Sequence, residues 1–138
     1  MAQSISDIMT RDPKTLQTTA SIQEAATAMR DADAGAIIVT EEGRFAGLVT
    51  DRDIVVRGLA DGKGADATVG EVYSSDVQSV SSDQTVDDAI AIVRTHNVRR
   101  VPVVDDGKPV GIVSIGDLAI ERDEGSALAD LSSSPANN

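Results

Sequence analysis

The apolar positions of this chain recur at an interval of 64 residues, which lays residues 5–57 on residues 69–121 without a gap. Ile8/Val72, Leu16/Val80, Ile22/Val86, Met29/Val93, Ile37/Val101, Leu48/Ile112 and Ile54/Leu118 are apolar in both copies, so both halves ask for the same buried faces. Asp12/Asp76, Ala25/Ala89, Arg30/Arg94, Val39/Val103, Gly43/Gly107, Gly47/Gly111, Val49/Val113 and Asp53/Asp117 are identical in that register. Similarity sustained over such a length marks an internal duplication.

Within each copy the pattern predicts a helix, a hairpin and a second helix. Ser21-Ile-Gln-Glu24 and Thr85-Val-Asp-Asp88 carry the hydroxyl and the acidic residue three positions on that open a helix. The apolar stripes that follow are Ile22, Ala25, Ala26, Met29 and Val86, Ala89, Ile90, Val93. β-Branched runs at 36–40 and 101–104, Glu42-Gly43 and Asp106-Gly107 turns, and second runs ending at Thr50 and Ser114 predict hairpins. Further capped helices are expected at about 51–59 and 115–122, and short leading strands around Leu16 and Val80. Each copy is therefore expected to be β-α-β-β-α, an α/β (α+β) class of fold.

Residues 58–67, GLADGKGADA, have the composition of an exposed connector. The expected organisation is repeat 1 with its N-terminal segment at 1–62, a linker at 63–67, repeat 2 at 68–123 and a partly disordered tail at 124–138.

Composition narrows the function. The 138 residues suit one compact domain with a real core. The chain has no cysteine and one histidine, His96, so no cysteine chemistry, no His-rich metal cluster and no second imidazole for proton transfer is available. An enzyme is not expected. Twelve basic against 23 acidic residues give a net charge of −11, which repels phosphate backbones, and Phe45 and Tyr73 are the only aromatics on which a base could stack. Nucleic acid is not an expected partner. The N-terminus lacks the basic and apolar regions of a signal peptide and no apolar stretch is long enough to span a bilayer, so the expectation is a cytoplasmic protein without membrane attachment.

The composite pattern resembles a known family. HNVRRVPVVDDGKPVGIVSIGDL, residues 96–118, and ADAGAIIVTEEGRFAGLVTDRDI, residues 32–54, are similar to paired cystathionine-β-synthase-type (CBS) domains, the Bateman module, with the match covering residues 4–123. TDRDIVVRGLADG, residues 50–62, looks like the small stand-alone CBS-pair proteins, hypoxic response proteins among them. The first copy departs from the family pattern with Ile38 at a frequent proline position and Ala-Gly-Ala where the second copy has Val-Arg-Arg. The resemblance implies two repeats related by a pseudo-two-fold, strands packed centrally, helices outside and two clefts between the repeats that take adenosine ligands. It also implies a regulatory role passed to an unidentified partner protein, and homodimers through helix faces.

Carried onto this chain, the family's T/S-x-x-D signature falls on Thr50 to Asp53 and on Ser114 to Asp117. An ionised carboxylate there would accept both ribose hydroxyls, and the hydroxyl with the free helix-start N–H groups would meet phosphate. The resemblance gives one cleft Thr50, Arg52, Asp53, Arg99 and Arg100, and the other Ser114 and Asp117 with Ala34, Gly35 and Ala36. Guanidinium groups in the first cleft would draw phosphate against the global acidic field. AMP, ADP, ATP or a similar adenine nucleotide would then be a regulatory ligand, with no cofactor and no metal required.

Alternatives stay open for each residue. Thr50/Asp53 and Ser114/Asp117 also satisfy a capping box that needs no ligand. Gly47 and Gly111 suit close backbone approach rather than a phosphate cradle. His96 is expected just past a helix end as a cap or dipole partner. Arg99 and Arg100 could pair with Asp105 or Asp106. A scaffold or dimerisation protein with vestigial clefts is the rival reading. On either reading, an apolar side at Ile54/Val55 or Leu118/Ala119, left over once the pair has closed its core, is the surface expected to form a homodimer.

Overall fold

In the computed structural model of the protein, residues 3–114 are described. Their elements, in chain order, are α1 (Ile5–Ile8), β1 (Thr10–Arg11), β2 (Thr15–Gln17), α2 (Ile22–Ala32), β3 (Ala36–Glu41), β4 (Arg44–Thr50), a π-helix (Asp53–Leu59), a 3-10 turn (Val69–Glu71), α3 (Val86–His96), β5 (Arg100–Asp105) and β6 (Lys108–Ser114). Mixed α and β structure with two three-stranded sheets is the class the pattern predicts. The expected helix at 115–122 and the tail at 124–138 lie outside the described residues.

Local chemistry starts and stops the long helices. The Ser21 hydroxyl accepts the Glu24 N–H at 3.0 Å while the Glu24 carboxylate accepts the Ser21 N–H at 3.2 Å. Thr85 and Asp88 repeat the exchange at 3.2 and 3.0 Å. Such caps satisfy N–H groups that the first helical turn leaves without a partner. At the other end Asp33 (φ 52°) and Asn97 (φ 54°) turn left-handed and stop the helix. His96 is accordingly the last helical residue, one position earlier than the cap role expected of it.

The two compact units do not follow the sequence repeats. One contains Pro13–Val77 with Asp106–Pro109; the other contains residues 3–12, 78–105 and 110–114. In the first, β2 runs parallel to β3, which pairs antiparallel with β4, in the order β2-β3-β4. Its core is Ile22, Ala25 and Met29 of α2 against Ile37, Val39, Val49, Ile54, Val69 and Val72. Ala26, included in the expected stripe, is exposed, because a narrower arc of α2 faces the sheet. In the second unit the order is β1-β6-β5, and Ile5, Val80, Val86, Ala89, Ile90, Val101, Val103 and Val113 form the core. The leading strand expected around Val80 is reduced to a single parallel bridge to Val103.

Each unit is completed by the opening segment of the other repeat. Ser74 bridges antiparallel to Leu48 in the first unit, and Thr10 pairs with Ile112 in the second. Ser21 meets Thr68, and Ser4 meets Thr85. Both sets of partners are related by the interval of the sequence repeat, so the same segment makes the same pairing twice.

The helix expected at 51–59 differs in kind. It opens with two α-helical residues, Asp51 and Arg52, and continues as the π-helix Asp53–Leu59. Ile54 and Gly58, four residues apart, are buried, while Val55 (54%), Val56 (45%) and Leu59 (64%) stay exposed. Gly58, expected in an exposed connector, packs so close to α2 that an added Cβ would stand 3.3 Å from Ile22 Cδ1. Ala67 closes the same connector by accepting the Ile22 N–H at 2.8 Å.

Candidate functional site

The turn from β4 into the π-helix carries the signature Thr50-Asp51-Arg52-Asp53. The Thr50 hydroxyl accepts the Asp53 N–H and the Asp53 carboxylate accepts the Thr50 N–H, both at 3.0 Å. This is the reciprocal capping box, and it fixes the carboxylate at the sheet end. Asp53 is 7% exposed, so those partners take the place of most of the water its carboxylate would otherwise bind.

Two further residues hold the same carboxylate. Ser74 Oγ donates to both oxygens of Asp53, at 3.1 and 3.2 Å. Arg57 Nε lies 3.8 Å from Oδ1, and Arg57 Nη1 donates to the Tyr73 carbonyl at 3.4 Å. Ser74 reaches this position because its backbone is bonded to Leu48 in both directions, at 3.0 and 2.8 Å. Gly47 permits that approach, since an added Cβ would overlap the Ser74 carbonyl oxygen.

The sequence pattern pointed to Thr50 and Asp53 but missed Ser74 and Arg57. A signal for Ser74 was present: it falls on Thr10 under the repeat, giving a hydroxyl in both copies, and the glycines Gly47 and Gly111 stand opposite the two segments. Arg57 lay within the compared span but carries no motif.

Ala34 and Gly35 lead into β3 and Ala36 opens it, beside Thr50. Ala36 is its register partner in the β3–β4 pair, and Gly35 O accepts the Asp51 N–H at 3.0 Å. An added Cβ on Gly35 would stand 3.4 Å from the Asp51 carboxylate. Arg52 is exposed on this turn. In the other unit, Arg100 opens β5 and is exposed, Arg99 precedes it and is also exposed, and Ser114 ends β6. Asp117 lies outside the described residues.

Asp105, weighed as a partner for these arginines, accepts Ser82 Oγ at 2.6 Å and Ser82 N at 2.9 Å. These bonds, the hydroxyl first, hold its carboxyl below the ordinary aspartate range. The backbone N–H of Thr68 does the same for Glu71.

The model of the CBS domain matches residues 5–59 and 69–123. The chain belongs to the CBS-domain family. Among its CBS-domain relatives, protein YhcV of Bacillus subtilis strain 168 is 39% identical over 133 residues, 94% of this chain and 95% of that protein. A crystal structure of hypoxic response protein I with two coordinated zinc ions has TM-score 0.79 and 33% identity, covering 86% of this chain and 98% of that one. The CBS domain pair of protein MJ0100, in complex with 5′-methylthioadenosine and S-adenosyl-L-methionine, has TM-score 0.78 and 28% identity, covering 90% and 98%.

The zinc of that neighbour does not fit the residues here. A closed zinc site draws on thiolate and imidazole ligands, whereas this chain has no cysteine and one histidine. Among the described residues no group of three or more His, Cys, Asp or Glu side chains could hold a metal ion. No helix among them is long and apolar enough to cross a membrane.

Proposed function

We propose that this CBS pair is a cytoplasmic regulatory module that takes an adenine nucleotide and passes a conformational or association change to a partner protein, without catalysing a reaction. The observation that carries this reading is the Asp53 carboxylate, buried at a strand-to-helix turn and flanked by the Thr50 hydroxyl. A carboxylate in that position suits the ribose diol, because charge-assisted hydrogen bonds strengthen where water is excluded. The adenosyl ligands of the MJ0100 neighbour support the same class of compound. In this reading Thr50 and Arg52 accompany Asp53, and Arg99 and Arg100 receive phosphate. Ser114 and Asp117, with Ala34, Gly35 and Ala36, form the less charged counterpart.

Calorimetric titration of AMP, ADP, ATP and adenosine into the protein tests the proposal. Saturable binding that is lost in Asp53→Ala supports it.

A second reading, a ligand-independent dimerisation scaffold, draws on a different observation. Asp53 is already satisfied by Thr50, Ser74 and Arg57, and Val55, Val56 and Leu59 are exposed beside it. A concentration-dependent dimer that ignores every nucleotide favours the scaffold.

A further inference from the structure

We propose that Ser74 gates the Asp53 carboxylate, its hydroxyl holding the place that a ribose diol must take; the inference rests on the nucleotide-binding reading above. A carboxylate has about four lone-pair positions. In Asp53 the Thr50 N–H takes one on Oδ2 at 3.0 Å, and Arg57 Nε faces Oδ1 at 3.8 Å. Ser74 Oγ lies 3.1 and 3.2 Å from the two oxygens, so a single hydroxyl straddles the edge across which a cis-diol would bind. With the group 7% exposed and Ser74 Oγ within hydrogen-bond distance of both oxygens, a sugar that is to bond both at once displaces Ser74.

Ser74 is suited to a gate because its backbone and side chain are held separately. The backbone is fixed by the two bonds to Leu48 and by its close passage over Gly47. The hydroxyl is attached through one rotatable bond, so it leaves the carboxylate by changing rotamer while the strand stays in place. The binding-competent form is then the fraction with the hydroxyl turned away, and the apparent dissociation constant is the intrinsic one divided by that fraction. Ser74 therefore sets how much nucleotide is needed for response, without itself being a source of affinity.

The test is calorimetric titration of AMP into wild type, Ser74→Ala, Ser74→Thr and the double variant Ser74→Ala with Asp53→Asn, each checked for folding by circular dichroism. Ser74→Ala should bind AMP about tenfold more tightly than wild type. Ser74→Thr keeps the hydroxyl and should stay within about threefold of wild type. The gain should disappear in the double variant. Ser74→Ala binding equal to or weaker than wild type would show that Ser74 orders the carboxylate for ligand, overturning the gate while leaving the nucleotide reading intact. No AMP binding in wild type with binding restored in Ser74→Ala would support a gate that is almost always shut. No binding in either would overturn the nucleotide reading and the gate with it.

Discussion

The carbonyl oxygen of Ser74 occupies the space in which a Cβ on residue 47 would stand, so Gly47 and Ser74 are in direct backbone contact. The repeat equivalent is Gly111 beneath Met9 and Thr10, but there the added Cβ would meet Met9 Sδ at 2.6 Å and Thr10 O at 2.9 Å. A thioether at the end of a flexible side chain yields more easily than a hydrogen-bonded carbonyl. Gly47→Ala should therefore destabilise the protein by about 3 kcal/mol, at the upper end of ordinary overpacking, and Gly111→Ala by about half as much. Urea denaturation of both variants checks the order; equal losses would mean that the two crossings are equally tolerant.

Asp53→Ala removes more than a ribose partner. It leaves the Thr50 N–H and the Ser74 hydroxyl without their acceptor in a part-buried site. The combined loss of a cap and a charge-assisted bond should lower stability by about 2 kcal/mol. Nucleotide affinity should fall about ten- to a hundredfold. Asp53→Asn, which still accepts one hydrogen bond, separates the two effects: most of the stability should return while the affinity stays low. Denaturation and calorimetry on the same samples check this.

Much of this architecture was legible because its rules are local. Ser21 with Glu24 and Thr85 with Asp88 announce helix starts through chemistry confined to one turn, and the alternating runs before Thr50 and Ser114 announce hairpins. The exchange of opening segments was not legible. A repeat states that Ser74 and Thr10 are equivalent, but not which copy either one pairs with. The π-helical turn from Asp53 was hidden for a related reason. The stretch of residues 51–59 has an apolar face compatible with an ordinary helix, and only the fit of Ile54 and Gly58 against the core distinguishes the two. Ser74 escaped notice as a site residue because its contact with Asp53 spans 21 residues and depends on the strand crossing over Gly47.

Homodimerisation is expected through the π-helix, where Val55 of the suggested Ile54/Val55 pair is exposed, while Leu118 and Ala119 lie outside the described residues. Ile54 is buried in its own core, whereas Val55, Val56 and Leu59 are exposed together. A cluster of this kind on an otherwise strongly charged protein suits a second apolar surface. Sedimentation equilibrium should show a dimer at tens of micromolar, and Val56→Asp with Leu59→Asp should shift it to monomer with little change in circular dichroism. A wild-type monomer at that concentration would count against the interface.

Ser82 and Asp105 give a pH-dependent increment of stability. Their hydrogen bonds lower the folded-state pKa of Asp105, so the stabilisation is present above the unfolded aspartate value and fades as pH falls through the folded one. Ser82→Ala removes the hydroxyl bond and keeps the backbone N–H, so the Asp105 carboxyl should titrate higher than in wild type while staying below the ordinary range. Carboxyl chemical shifts followed against pH report this directly. The stability gap between the two proteins should be open near neutral pH and close in acid; a gap that is constant with pH would mean that Ser82 acts through packing.

Arg99 and Arg100 provide the test of where phosphate is read. They stand at the start of β5 and are exposed. A protein with a net charge of −11 repels an anionic ligand overall, so a phosphate group needs local cationic donors. A guanidinium offers paired charge-assisted bonds to phosphate, whereas glycine and alanine at the matching positions 35 and 36 of the first repeat offer backbone groups and surface. Arg99→Ala with Arg100→Ala should weaken AMP binding at least about tenfold while adenosine changes by less than about twofold. The Coulombic share of the attraction is screened by salt, so the fall of AMP affinity with ionic strength should also flatten in the double variant. Titration of both ligands into both proteins at two salt concentrations separates the possibilities. Equal losses for AMP and adenosine would mean that the arginines shape the binding site or pair with acidic neighbours, and that they are not phosphate ligands.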